Sequence, residues 1–199
     1  MIYKHAYWYF PSALTPRFCN ELINYANRHK KKMGLTGSYE KKNLSQKDIK
    51  NLQKRRKSNL VWLDDGWIYK EIIPYVKHAN KEARWDFDLT GAECCQFTEY
   101  GEGEYYDWHY DQFTDYRKSI RKLSVTCTLS EPQDYEGGEL EFCNFNPMAK
   151  KKDNFFRCKE IKPQGSVVVF PSFIWHRVTP VTKGIRYSLV IWNQGDRYK

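Results

Sequence analysis

The sequence predicts a mainly β protein with flanking helices, its strands packed as two sheets of a jelly roll or barrel. Three observations carry this. From Glu93 onward, eight short runs rich in β-branched and aromatic residues follow one another closely. Turn residues separate many of them: Glu131-Pro132, Gly137-Gly138, Pro163-Gln164-Gly165, Pro171-Ser172 and Lys183-Gly184. Both stretches with helical spacing lie upstream, so helices flank the strands and do not alternate with them.

With 199 residues, one domain is expected over 1–199, its N-terminal part (1–91) supporting a strand-rich core (92–194). The chain is 41% hydrophobic and 17% aromatic, enough to build a core. No apolar run approaches the roughly 20 residues of a membrane span. The start, from Met1 to Trp8, lacks the charged, apolar and small-residue pattern of a signal peptide, so a cytoplasmic protein with no membrane partner is expected. The cysteines are Cys19, Cys94, Cys95, Cys127, Cys143 and Cys158; with no C-x-x-C pair they argue against zinc and read as small buried side chains. The net charge of +9 gathers at Arg28 to Lys32, Lys54 to Lys57 and Lys150 to Lys152. It favours acidic partners, but these clusters lack interleaved aromatics and read first as a solvated basic surface.

In chain order, Tyr3 to Phe10 reads as a strand stopped by Pro11. Thr15 caps a helix that opens on Pro16 and carries Phe18, Leu22, Tyr25 and Ala26 on its apolar face. Residues 30–57 are polar and basic, with Gly34 and Gly37, and read as a mobile loop that could cover a ligand. Ser58 to Leu63 is a strand. Asp64 or Asp65 caps a second helix bearing Ile68, Ile72, Val76 and Ala79, which Pro74 should kink or split. Arg84 to Leu89 is a short strand before the Gly91 turn. The eight core strands are Glu93–Tyr100, Tyr105–Asp111, Lys122–Ser130, Glu139–Asn144, Phe155–Ile161, Ser166–Phe170, Trp175–Val178 and Ile185–Trp192. Phe145 to Asn154 reads as an exposed hairpin tip.

The chemistry concentrates in Tyr105-Tyr106-Asp107-Trp108-His109-Tyr110-Asp111. On a strand, alternate side chains share a face, so His109 and Asp111 point the same way. An imidazole and a carboxylate so placed make two-thirds of a 2-His-1-carboxylate triad, the donor set of non-haem Fe(II). His176, just after the turn at Pro171-Ser172, is the candidate third ligand; His5, His29 and His78 have no such setting. Arg186 lies ten residues beyond His176 and opens an alternating strand, with Arg186, Ser188, Val190 and Trp192 on one face. An arginine buried on that face needs an anion, either a bound carboxylate or an internal ion-pair partner.

These segments resemble the Fe(II)- and 2-oxoglutarate-dependent dioxygenases, more narrowly the prolyl 4-hydroxylase group with its PKHD-type hydroxylases. The matching text is the H-x-D strand, the turn from Asp134 to Leu140, the run from Gly165 to Ser172, the run from His176 to Thr182, and Gly184 to Ser188. It covers residues 92–194 closely and extends weakly upstream through Arg56-Lys57-Ser58 and Trp62-Leu63. PKHD-type enzymes usually continue past the last core strand, whereas this chain ends at Lys199, so the broader prolyl 4-hydroxylase group is the expected membership. The resemblance implies a double-stranded β-helix core, the cupin-like jelly roll. It implies that His109, Asp111 and His176 hold Fe(II) and that Arg186 binds the distal carboxylate of 2-oxoglutarate. Tyr100 and Thr128 would stand near that co-substrate, with Trp192 and Tyr106 as candidate substrate contacts; for Tyr100 and Trp192 plain core packing is the alternative. O2 is the second co-substrate, and ascorbate a candidate accessory reductant. The implied reaction hydroxylates a substrate, foremost a prolyl residue in a peptide or protein, releasing succinate and CO2. Retention of Asp111 fits hydroxylation, since related halogenases have a small residue there. Oxidative demethylation of nucleic acid and a non-catalytic jelly-roll binding module are the alternatives. The second arginine typical of the demethylases is not found, and the four intact site residues argue against a module that has lost its metal.

Overall fold

The computed structural model describes residues 5–34, 44–112, 119–143 and 155–197. In chain order its elements are β1 (Trp8–Phe10), α1 (Pro16–Asn27), β2 (Lys32–Met33), α2 (Gln46–Gln53), β3 (Arg56–Lys57), β4 (Asn59–Leu63) and α3 (Gly66–Glu82). There follow β5 (Gly91–Ala92), β6 (Cys95–Tyr100), β7 (Tyr105–His109), β8 (Ser119–Thr128), β9 (Tyr135–Gly137) and β10 (Leu140–Cys143). The last are β11 (Phe155–Arg157), a 3-10 turn at Lys159–Ile161, β12 (Val167–Pro171), β13 (Trp175–Val178), β14 (Val181–Gly184) and β15 (Arg186–Asp196).

Two sheets form the jelly roll. The major sheet runs β1-β12-β8-β15-β6-β4-β2, with β5 also paired to β15. The minor sheet runs β11-β10-β13-β7-β3, and β9 and β14 form a separate ribbon. Period-two alternation divides the major sheet into two chemically different faces. One face presents Phe97, Leu123, Val125, Cys127, Val167, Val169, Leu189 and Ile191 to the apolar sides of α1 and α3. The intervening residues on the other face include Gln96, Thr98, Ser124, Thr126, Arg186 and Ser188, buried and polar, turned toward the minor sheet. The helices therefore hold the sheet from behind while a polar cavity forms in front.

Both helices form where their spacing places apolar residues on one side. Thr15 accepts a bond from Phe18 N at 3.2 Å, capping α1, which buries Cys19, Leu22 and Ala26. The α3 helix buries Ile68, Ile72, Val76 and Ala79; each large aliphatic side chain contributes about 1.5–3 kcal/mol. Asp65 occupies its N-cap position without a side-chain cap bond. No helix among the described residues is long and apolar enough to cross a membrane.

Several expectations are corrected. Pro74 sits inside α3 as one helix and does not split it. The 30–57 stretch is not a bare loop: β2, α2 and β3 occupy its described part. Ser45 and Asp48 build a reciprocal capping box that starts α2, outweighing the basic, polar composition. Arg84 to Leu89 forms no strand, because Arg84 and Asp86 adopt left-handed φ of 54° and 51°. Of the strand expected over Tyr3 to Phe10, Tyr3 and Lys4 lie outside the described residues and the described part is strand from Trp8; Phe155 to Ile161 divides into β11 and the 3-10 turn. The glycine and lysine turns at Gly137 and Lys183 belong to β9 and β14, which pair with each other. Cys94 is exposed; the other five cysteines are buried. Asn144, the expected tip over Phe145–Asn154 and the Lys150–Lys152 cluster lie outside the described residues.

Candidate metal and co-substrate site

The minor sheet brings two of the candidate metal ligands together by strand register. His109 on β7 and His176 on β13 are direct partners across the antiparallel ladder, their rings 4.1 Å apart. β7 ends at His109, so Asp111 is not on the strand as the alternation argument had it. Its backbone N–H instead donates to Ser172 O at 2.8 Å, which turns the carboxylate back toward the imidazoles. His109 Nε2 lies 3.8 Å from Asp111 Oδ1, and His176 Nε2 lies 3.6 Å from Asp111 Oδ2. One ligand atom from each of the three falls within 4.8 Å of the others.

The tautomers follow from the hydrogen bonds. His109 Nδ1 is 2.8 Å from Asp107 O, and His176 Nδ1 is 3.0 Å from Ile174 O. A carbonyl oxygen only accepts, so each Nδ1 carries the proton and each Nε2 keeps its lone pair for a cation. Each ring is thus held by the backbone two residues before it. Ser124 Oγ donates to Asp111 Oδ2 at 2.7 Å and also meets Ser172 Oγ at 2.9 Å. Burial pushes the Asp111 carboxyl up, but His176, His109, Arg121 and the Ser124 bond together hold it below the usual carboxylate range. Burial, reinforced by His176, holds His109 well below the ordinary imidazole value, so it stays neutral. Tyr106 stacks on His109 with ring centroids 3.4 Å apart and planes at 11°.

These ligands share a cavity with Gln96, Tyr100, Tyr106, Thr126, Arg186, Ser188, Val190 and Trp192. Arg186 is 1% exposed, its Nη1 donating to Ser188 Oγ at 3.3 Å while Nε has no partner. Among the described residues no carboxylate pairs with it, which disposes of the internal ion pair left open by the sequence. Gly138 makes room for it: at φ +60°, a Cβ there would meet Arg186 Cδ at 2.8 Å. Tyr100 is the cross-strand partner of Arg186 and lies beneath its guanidinium, 5.7 Å from Cζ to the ring. Thr128 is fully buried with its hydroxyl unpartnered, opposite Ser188; on β8 it is Thr126 that reaches the cavity wall. Trp192 sits under Arg121, 3.7 Å from its Cζ, and near the exposed Trp62, with Nε1 unpartnered.

Two wall features escaped the sequence reading. Gln96 lines the cavity from β6, and Arg56 is 4% exposed, though its cluster was read as solvated surface. The two-residue strand sends alternate residues to opposite faces, Arg56 inward and Lys57 outward, but it exists only through its pairing with β7, which Arg56-Lys57-Ser58 alone does not signal.

The donor set, two imidazole nitrogens and one carboxylate facing open space, suits Fe(II). The unpaired Arg186 suits an anionic co-substrate. Comparison with known proteins agrees with both. The model of the 2OG-Fe(II) oxygenase superfamily matches residues 95–194. A PKHD-type hydroxylase of Hyphomonas neptunium is 40% identical over 98 residues, covering 47% of this chain and 39% of its own. One of Synechococcus sp. is 42% identical over 90 residues, covering 45% and 36%. The chain thus spans about two-fifths of the length of these curated relatives. Among solved structures, a Pseudomonas putida prolyl-4-hydroxylase has TM-score 0.67 at 21% identity, over 98% of this chain and 95% of that one. A viral collagen prolyl hydroxylase from Paramecium Bursaria Chlorella virus-1, in its 2OG complex, has TM-score 0.66 at 21% identity, over 96% and 97%. A Trichoplax adhaerens prolyl hydroxylase in complex with a hypoxia inducible factor peptide fragment has TM-score 0.63 at 18% identity, over 96% and 84%. The structures bear out the jelly roll, and the family model covers all three candidate ligands and Arg186: the chain belongs to the 2OG-Fe(II) oxygenase superfamily.

Proposed function

We propose that this chain is an Fe(II)- and 2-oxoglutarate-dependent dioxygenase that hydroxylates a prolyl residue in a peptide or protein, with release of succinate and CO2. The observation that carries the reading is the pair of Nε2 lone pairs aimed at Asp111, in one cavity with a buried, unpaired Arg186. The prolyl part draws on the resemblance to PKHD-type hydroxylases and on the peptide-bound neighbour.

Bound Fe(II) and 2-oxoglutarate would supply the oxidising chemistry; the chain's residues select and orient. His109, Asp111 and His176 hold the metal through donors whose tautomers are already set. Arg186 takes the distal carboxylate of the co-substrate, gaining a charged partner for its unpaired Nε. Tyr100 and Tyr106 wall the cavity and keep water from the reacting atoms. Trp192 offers an aromatic face and an N–H donor to the substrate.

Succinate release measured against substrate class tests the reading, with mass spectrometry for an added oxygen. Proline-containing peptides are expected to raise turnover and gain one oxygen, while methylated oligonucleotides do neither. The reverse result assigns the chain to the nucleic-acid demethylases, a reading its net charge of +9 invites. No turnover with either class, and no Fe(II) binding, leaves a non-catalytic jelly roll.

A further inference from the structure

Arg56 is the second buried guanidinium in front of the major sheet, and nothing in the reaction described so far uses it. It is 4% exposed. Its side-chain acceptors are neutral: Nε donates to Ser58 Oγ at 2.9 Å and Nη1 to Gln96 Oε1 at 3.3 Å. Nη2 has no partner, and among the described residues no carboxylate pairs with Arg56. A buried charge without a counter-charge is strongly unfavourable, so an isolated arginine in such a place points to a ligand.

Its surroundings say where that ligand comes from. Arg56 bridges the two sheets: Gln96 belongs to β6 of the major sheet, and the Tyr106 ring on β7 of the minor sheet lies 4.5 Å from Cζ. Gln96 and Tyr106 both line the cavity that holds the metal ligands. So does Trp192, whose Nε1 is another buried donor without an acceptor. Gly34 packs over the far side, where a Cβ would meet Ser58 Oγ at 2.5 Å and Arg56 Nε at 2.8 Å. The guanidinium thus lies directly behind the cavity wall, against the side chains of Gln96 and Tyr106. Arg186 lies four residues along β15 from the Gln96 position, since Tyr100 pairs with Arg186 and Gln96 with Val190. The two cations therefore stand apart, Arg186 in the cavity lining and Arg56 behind the wall formed by Gln96 and Tyr106.

We propose that Arg56 is a second anion subsite, taking a carboxylate of the substrate beside Gln96 while Arg186 takes the co-substrate. This deepens the proposed function and rests on Arg186 serving 2-oxoglutarate. A carboxylate entering there replaces the long bond to Gln96 Oε1 with a two-pronged contact to Nη1 and Nη2. The favoured substrate then carries an acidic group next to the oxidised residue, either a chain-terminal carboxylate or an acidic side chain. The basic net charge of +9 steers such substrates in the same sense.

Isothermal titration of the full chain, loaded with Mn(II) and 2-oxoglutarate so that no turnover occurs, tests this. The probes are N-acetylproline and its amide, N-acetylalanine and its amide, and N-acetylaspartate amide with its side-chain amide, N-acetylasparagine amide. Each carboxylate probe should bind about tenfold or more tightly than its amide, the range expected of a charged hydrogen bond. Arg56→Met should bring each pair within about twofold while 2-oxoglutarate affinity, held by Arg186, is unchanged; Arg56→Lys should restore part of the preference. Gln96→Glu places an internal carboxylate on the guanidinium and should also abolish the preference, which keeps the test available if Arg56→Met fails to fold. Equal binding of acid and amide, no binding of any carboxylate probe, or a preference that survives both Arg56→Met and Gln96→Glu overturns the subsite. A gap as large for alanine as for proline retains the subsite and removes the prolyl reading; tight proline binding without a gap does the opposite.

Discussion

The two walls of the cavity treat their polar groups in opposite ways. On the metal side, His109 and His176 each have Nδ1 bonded to a backbone carbonyl, and Asp111 accepts from Ser124. On the major-sheet side, Arg186 Nε and Trp192 Nε1 are buried without partners. The first wall is organised before anything binds, so little rearrangement opposes metal entry. The second carries orphaned groups, each costing about 1–3 kcal/mol, which a ligand with matching acceptors relieves. One wall encodes affinity through order, the other through unmet demand.

The largest expected effect removes a member of the ordered wall. His176→Ala should lower Fe(II) affinity by well over about 100-fold, since even outer partners of metal ligands contribute 10–100-fold. Anaerobic titration with Fe(II) and 2-oxoglutarate reads it directly: the visible charge-transfer band of the wild type should vanish. A band of normal intensity in the variant would take His176 out of the metal site.

The opposite wall should respond in the opposite sense. Arg186→Met is expected to weaken 2-oxoglutarate binding by about 30-fold or more, from loss of a buried charged contact, while Fe(II) binding stays within about twofold. The same variant should leave the ligand-free protein no less stable than wild type, because it deletes an unpaired buried charge. Thermal melts without ligand check this. A large fall in melting temperature would make Arg186 a structural cation.

Much of this contrast was legible in the sequence, and what was missed has a common cause. His109, His176 and Arg186 stand at spacings set by strand period and by turn residues, and both are local rules. The helix over Pro16–Asn27 and the capping residue Thr15 were equally readable. The α2 helix was overlooked because basic composition was allowed to outweigh the Ser45–Asp48 box. The burial of Arg56 depends on β3 pairing with β7, a contact between residues fifty apart that no local pattern announces. The same holds for Asp111, which reaches the imidazoles through Ser172 and not through strand alternation.

Ser124 connects the two walls, since it sits on β8 of the major sheet yet donates to Asp111. Ser124→Ala should weaken Fe(II) binding by about tenfold and leave 2-oxoglutarate affinity nearly unchanged once metal is saturating. A comparable loss of 2-oxoglutarate affinity, measured by titration at saturating Mn(II), would show that the walls are not independent.

The smallest effect is a dependence on pH, and its sign follows from the ordered wall. Asp111 is held below its ordinary value of 3.8 and His109 well below 6.5 in the folded, metal-free chain. In both cases the unfolded chain binds more protons than the folded one, so stability rises with pH. For His109 the stabilisation is complete above about pH 6.5 and is lost as pH falls toward its depressed folded value. For Asp111 the loss comes later, below the ordinary carboxylate value of 3.8. The melting temperature of the metal-free protein should therefore decline on acidification, beginning below about pH 6.5, with a slope of at most about 1.4 kcal/mol per pH unit from His109. His109→Gln, neutral at every pH, should flatten the curve between pH 6.5 and 5 and leave the carboxylate-driven loss at lower pH. Arg186→Met should keep the wild-type slope, because it leaves His109, Asp111 and their hydrogen-bond partners in place. An unchanged slope in His109→Gln would place the pH sensitivity elsewhere in the chain.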